Sequence, residues 1–66
     1  MRREQALNSS AITSAGYDDE TKEMDITFSG GSSYTFHSVP AEIFDGLISA
    51  GSAGQYYHQN IKGQYV

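Results

Sequence analysis

A chain of 66 residues with a formal net charge of −4 and no cysteine is one domain, near the lower size at which a hydrophobic core holds without staples. The missing cysteines exclude disulfides, thiolate zinc sites and dithiol redox chemistry. No apolar run approaches the length of a membrane span or a signal-peptide core, so a cytoplasmic protein is the simplest expectation.

Leu, Ile, Val and Phe together number 12 of 66 residues, a low share for a globular chain. Periodicity nevertheless argues for folding. The charge is also unevenly placed. Asp18 to Asp25 holds five acids against Lys22, which by itself gives the net −4. Arg2, Arg3, Lys22 and Lys62 are the only lysines and arginines, too few and too scattered for the basic patch of a nucleic-acid binder.

In chain order, Met1 to Asn8 shows neither alternation nor a helix cap and reads as a flexible lead-in over residues 1–8, with a single domain over 9–66. Ser9 to Tyr17 favours a strand, although Ile12 and Tyr17 fall on opposite faces and leave its inward parity open. Asp18-Asp19-Glu20-Thr21 reads as a turn held by aspartate side chains. Met24, Ile26 and Phe28 then alternate with Asp25 and Thr27, the strongest strand signal in the chain. Ser29-Gly30-Gly31-Ser32 reverses direction, because a Gly-Gly pair tolerates the positive φ of tight hairpins. Tyr34 and Phe36 return toward the core, and Thr35 and His37 face the other way.

Pro40 ends strand pairing because it lacks an N–H, and its fixed φ suits a helix start. Glu42 follows where the helix dipole favours negative charge. Ile43, Leu47 and Ala50 make a helical stripe that Phe44 and Ile48 widen, with Gly51 as the expected C-cap. Gly46 weakens this helix unless close packing requires its bare backbone. Ser52 and Gln55 match a capping box that starts a second helix, with Ala53, Tyr57 and Ile61 on its inner face. The fold class is therefore α+β: a three-stranded antiparallel meander followed by two short helices packed on one face.

Several short stretches also carry a resemblance. They are Ser9-Ser10-Ala11-Ile12, Gly16-Tyr17-Asp18, Tyr34-x-Phe36, Val39-Pro40, Ala50-Gly51-Ser52-Ala53-Gly54, Tyr56-Tyr57, Ile61-Lys62 and Tyr65. In this order and spacing the chain resembles the KTSC domain, a small module also found at the C-terminus of some lysyl-tRNA synthetases. Phe36 stands where the family has a second tyrosine, and His58 where it often has asparagine. The resemblance implies RNA binding by association with the synthetases; the acidic charge argues against it.

The only imidazoles are His37 and His58, with Ser10 and Ser38 as conceivable nucleophiles. No spacing forces a triad, and no nucleophile elbow or phosphate loop is present. The acids of 18–25 lack the spacing of a calcium loop, and two histidines fall short of a zinc site. The expectation is a module that is not an enzyme and carries no metal or cofactor. Its candidate contact residues are Tyr17, His37, Tyr56, His58, Lys62 and Tyr65, a set able to anchor a protein or stack a base. A protein partner is favoured by charge. A small-ligand or nucleotide-binding homo-oligomer is the alternative, and an enzyme a distant third.

Overall fold

Two tight turns fold the three alternating segments into a meander, and a fourth strand ahead of them completes the sheet. Residues 2–65 are described in a computed structural model. Met1 of the expected lead-in and Val66 of the expected domain lie outside the described residues. The elements are β1 (Arg2–Ala6), β2 (Ile12–Asp18), β3 (Glu23–Phe28), β4 (Ser33–Phe36), α1 (Ala41–Ser49) and α2 (Ala53–Asn60). The sheet is antiparallel throughout, in the order β1-β2-β3-β4.

The expected three strands are thus four, because most of the residues read as a lead-in form β1. Every residue of β1 is exposed, so there was no apolar alternation to reveal it. Backbone pairing with β2 and charged side chains hold it instead. Arg2 pairs with Glu4 at 3.1 Å and with Asp25, while Arg3 reaches Asp45 of α1 at 2.6 Å.

The open parity of β2 is resolved by a bulge. Ile12 pairs with Phe28 and Ser14 with Thr27, which leaves Thr13 as an extra residue. One inserted residue reverses the alternation. Ile12, Ala15 and Tyr17 consequently all turn inward, and all are buried. The Asp18 turn forms as expected, with the carboxylate accepting from the Glu20 N–H at 2.9 Å and the Thr21 N–H at 3.3 Å. Gly31 takes φ +94° in the second turn, closed by the Phe28 N–H donating to the Ser32 carbonyl at 2.8 Å.

Both helices cover one face of the sheet. The core comprises Ile12, Ala15, Tyr17, Met24, Ile26, Phe36, Val39, Phe44, Leu47, Ala53 and Ile61. Burying these apolar side chains is the main favourable term in a domain this size. Ser52 caps α2 by accepting from the Gln55 N–H at 3.3 Å. Gly51 is not the C-cap of α1: that position is Ala50, in an extended conformation, so no left-handed residue is required. At Gly46 the bare backbone is needed, since a Cβ there would run into the Tyr56 ring and hydroxyl.

Candidate functional site

The candidate contact residues do not converge on one patch. Tyr17 is a core residue and not a surface contact, being 1% exposed. Its ring stacks on Phe44 at 5.5 Å between centroids, and the Arg3 guanidinium lies 4.9 Å from the other ring centre. Its hydroxyl donates to the Val39 carbonyl, which satisfies the phenol and removes it from any outer face.

His37 lies beyond the end of β4 in the register of the outer sheet face, its Nδ1 3.2 Å from a Glu23 carboxylate oxygen. Neighbours on that face are Asp25, Thr27, Ser33 and Thr35. Thr35 donates to Asp25 at 2.6 Å, and the Thr27 and Ser33 hydroxyls meet at 3.0 Å. This is a polar, self-satisfied surface with no aromatic ring on β2, β3 or β4.

Tyr56 and Tyr65 belong to the flank of α2 that meets α1. Burial pushes the Tyr56 hydroxyl above its usual pKa, with Tyr65 and Glu42 adding to the effect. His58 stands two residues on, edge-to-face with Tyr57 at 5.4 Å, on the opposite flank of α2. Lys62 is exposed past the helix end, where its N–H bonds the Tyr57 carbonyl at 2.8 Å.

A different feature emerges at the β4 edge. Tyr34 has the expected inward parity, since it pairs with Ile26 and neighbours Phe36, yet it is 57% exposed. The reason is its place in the sheet. β4 is the last strand of the sheet, and Tyr57 of α2 packs against Phe28 and Phe36. The Tyr34 ring meets Phe28 edge-to-face at 5.7 Å, Phe28 meets Tyr57 at 5.1 Å, and Tyr57 meets Phe36 at 6.1 Å. With His58 against Tyr57, five rings make a ledge running from the sheet edge onto α2.

Alternation places Tyr34 on the core face, but it reports which face a residue is on, not how far the covering layer reaches. A cue was present. Among the described residues no strand follows Phe36, so a meander leaves Tyr34 at an edge.

Elsewhere, a cleft of about 300 Å³ separates the β1–β2 connection from the α1–α2 linker. Leu7, Leu47 and Ala53 floor it, and Asn8, Ser10 and Ser52 stand on its rim. Among the described residues, no group of three or more His, Cys, Asp or Glu is placed to hold a metal ion.

A four-stranded antiparallel sheet with two helices on one face and a polar open face defines a small α+β domain. The family model for the KTSC domain matches residues 8–65, and the chain belongs to that family. It is 38% identical over 61 residues to a protein of Tsukamurella paurometabola, covering 92% of this chain and 91% of that one. A region of the Nostoc sp. lysine–tRNA ligase is 38% identical over 56 residues, 85% of this chain but 10% of the ligase. The crystal structure of a KTSC domain protein from Yersinia pestis superimposes with a TM-score of 0.93 at 30% identity, covering all of this chain and 93% of that one.

Proposed function

We infer that this KTSC domain is a non-catalytic module that docks on a protein partner through the Tyr34 ledge. The observation that carries the reading is the large exposed ring of Tyr34, continuous with Phe28, Tyr57 and His58. Aromatic side chains of this kind supply much of the binding energy in protein interfaces. His58 and Lys62 remain contact candidates beside the ledge. Tyr56 and Tyr65 would act from the far flank of α2.

Electrostatics favour protein over RNA. Both arginines are engaged with the protein's own carboxylates, Arg2 with Glu4 and Asp25 and Arg3 with Asp45. Only Lys22 and Lys62 remain to meet phosphates, in a chain of net charge −4. The match to a region of lysine–tRNA ligases is the one finding that favours RNA, and that reading is kept as the second. A non-catalytic role is supported by the separation of the two imidazoles, His37 at the open sheet face and His58 in the helix layer. Likeness to synthetase regions also supports a cytoplasmic setting. Among the described residues no helix is long and apolar enough to cross a membrane.

The test is affinity capture from the native lysate with and without nuclease. A protein retained after nuclease treatment, lost with Tyr34→Ala and kept with Thr35→Ala on the opposite face, is the expected result. Capture abolished by nuclease would replace the protein reading with RNA.

A further inference from the structure

The two edges of the sheet are treated differently. β1 is lined with Arg2, Arg3 and Glu4, held in ion pairs, and such charges discourage another strand from adding. From Phe28 to Phe36 the β4 side has no charged residue and no proline. No charge or proline guards that edge, whose one restraint is its short length of four residues.

The register identifies which backbone groups of β4 are open. The Phe28 N–H donates to the Ser32 carbonyl, so Phe28–Ser32 is a hydrogen-bonded pair. Pairs alternate along an antiparallel ladder. Tyr34, opposite Ile26, and Phe36, opposite Met24, therefore spend their N–H and C=O on β3. Ser33 and Thr35 direct theirs outward, away from β3.

Resting on the reading of the Tyr34 ledge as a protein-contact surface, we propose that the partner is a second copy of this chain, joined by antiparallel pairing of β4 with β4 about a two-fold axis at Thr35. The self-complementarity of the strand argues for this occupant. An axis perpendicular to the sheet pairs Thr35 with Thr35 of the second copy as a hydrogen-bonded pair, using the outward groups of both. It places Ser33 opposite the second copy's His37 in the same way. Tyr34 then stands opposite Phe36 of the second copy in a non-hydrogen-bonded pair, where side chains come closest. Each exposed ring is covered, twice per dimer. No like charges face each other, and both helix layers lie on the same side of an eight-stranded sheet. A register centred on Tyr34 uses one fewer backbone pair and sets two phenols against each other. Beyond His37 the left-handed Ser38, at φ +57°, turns the chain away and limits the seam. A seam this short makes a weak, isologous dimer.

The purified full chain at about 100 µM, a concentration suited to weak association, is examined by sedimentation equilibrium. A monomer–dimer equilibrium is expected. Thr35→Pro removes an N–H that β3 does not use, as proline does when tolerated on an edge strand, and should weaken association at least about tenfold with the circular dichroism spectrum intact. Should Thr35→Pro fail to fold, Tyr34→Lys decides the same point by placing a charge against the second copy's Phe36. Wild type that stays monomeric, or folded variants that dimerise like wild type, overturns the proposal. Tyr34→p-benzoylphenylalanine separates this failure from failure of the ledge reading. A photo-crosslinked homodimer of the purified chain supports both. A crosslink only to another protein in lysate overturns the dimer and leaves the ledge. No protein crosslink in either setting overturns both.

Discussion

The Tyr17 hydroxyl donates to the Val39 carbonyl across 2.5 Å, joining the end of β2 to the segment that enters α1. On its other side the Val39 N–H bonds the Lys22 carbonyl at 2.9 Å, so a residue outside any regular element has both backbone groups satisfied. This fixes where Pro40 starts α1, and hence where Phe44 lands on the Tyr17 ring.

Tyr17→Phe keeps the stack but leaves the buried carbonyl unpaired, and should cost about 1–3 kcal/mol at neutral pH by chemical denaturation. The pH dependence gives a second readout. Burial, with Asp19 adding to it, raises the Tyr17 pKa above its ordinary value. The folded state therefore holds the proton more tightly than the unfolded chain. That contribution is fully present below the unfolded value of about 10 and is lost as pH rises through the folded one. Wild type should lose more stability than Tyr17→Phe on passing into this alkaline range. Parallel losses would place the phenol in a different environment.

Gly46→Ala sets helix propensity against packing. In an open helix the change would stabilise by about 1 kcal/mol. Here the new methyl meets the Tyr56 ring, and overpacking of this kind costs about 1–3 kcal/mol. Net destabilisation is expected, and Gly46→Ala should become neutral or stabilising in a Tyr56→Ala background. A thermal-denaturation double-mutant cycle with no coupling would remove Tyr56 from that contact.

Ser52→Ala should lower stability by about 1 kcal/mol, because the Gln55 N–H loses its acceptor, whereas Ser52→Asp should be tolerated. Equal melting temperatures for wild type and Ser52→Ala would mean that the cap bond carries no weight in solution.

RNA titration at near-physiological salt tests the charge argument directly. With Arg2 and Arg3 tied to carboxylates, single- or double-stranded RNA should bind no more tightly than about 0.1 mM, the weak end of non-specific binding. Low-micromolar binding that falls steeply with added salt is the contrary outcome.

Local and periodic features were legible in residue types and their spacing alone. The alternation of Met24, Ile26 and Phe28, the Asp18 and Gly30-Gly31 turns, the Ser52 cap and the inner stripe of α2 each depend on neighbours within a few residues. All appear in the structure. So does the family, whose marks lie in short stretches along nearly the whole chain. Tertiary structure decided the rest, because those outcomes depend on partners distant in the chain. β1 has no apolar pattern and exists through its pairing with β2 and through Arg2 and Arg3 reaching Asp25 and Asp45. The inward turn of both Ile12 and Tyr17 required a bulge that appears only when β2 is laid against β3. Tyr34 and Tyr17 exchanged their expected settings for the same reason. Alternation fixes the face of a strand, but only the position of the helices and the end of the sheet determine which ring is covered.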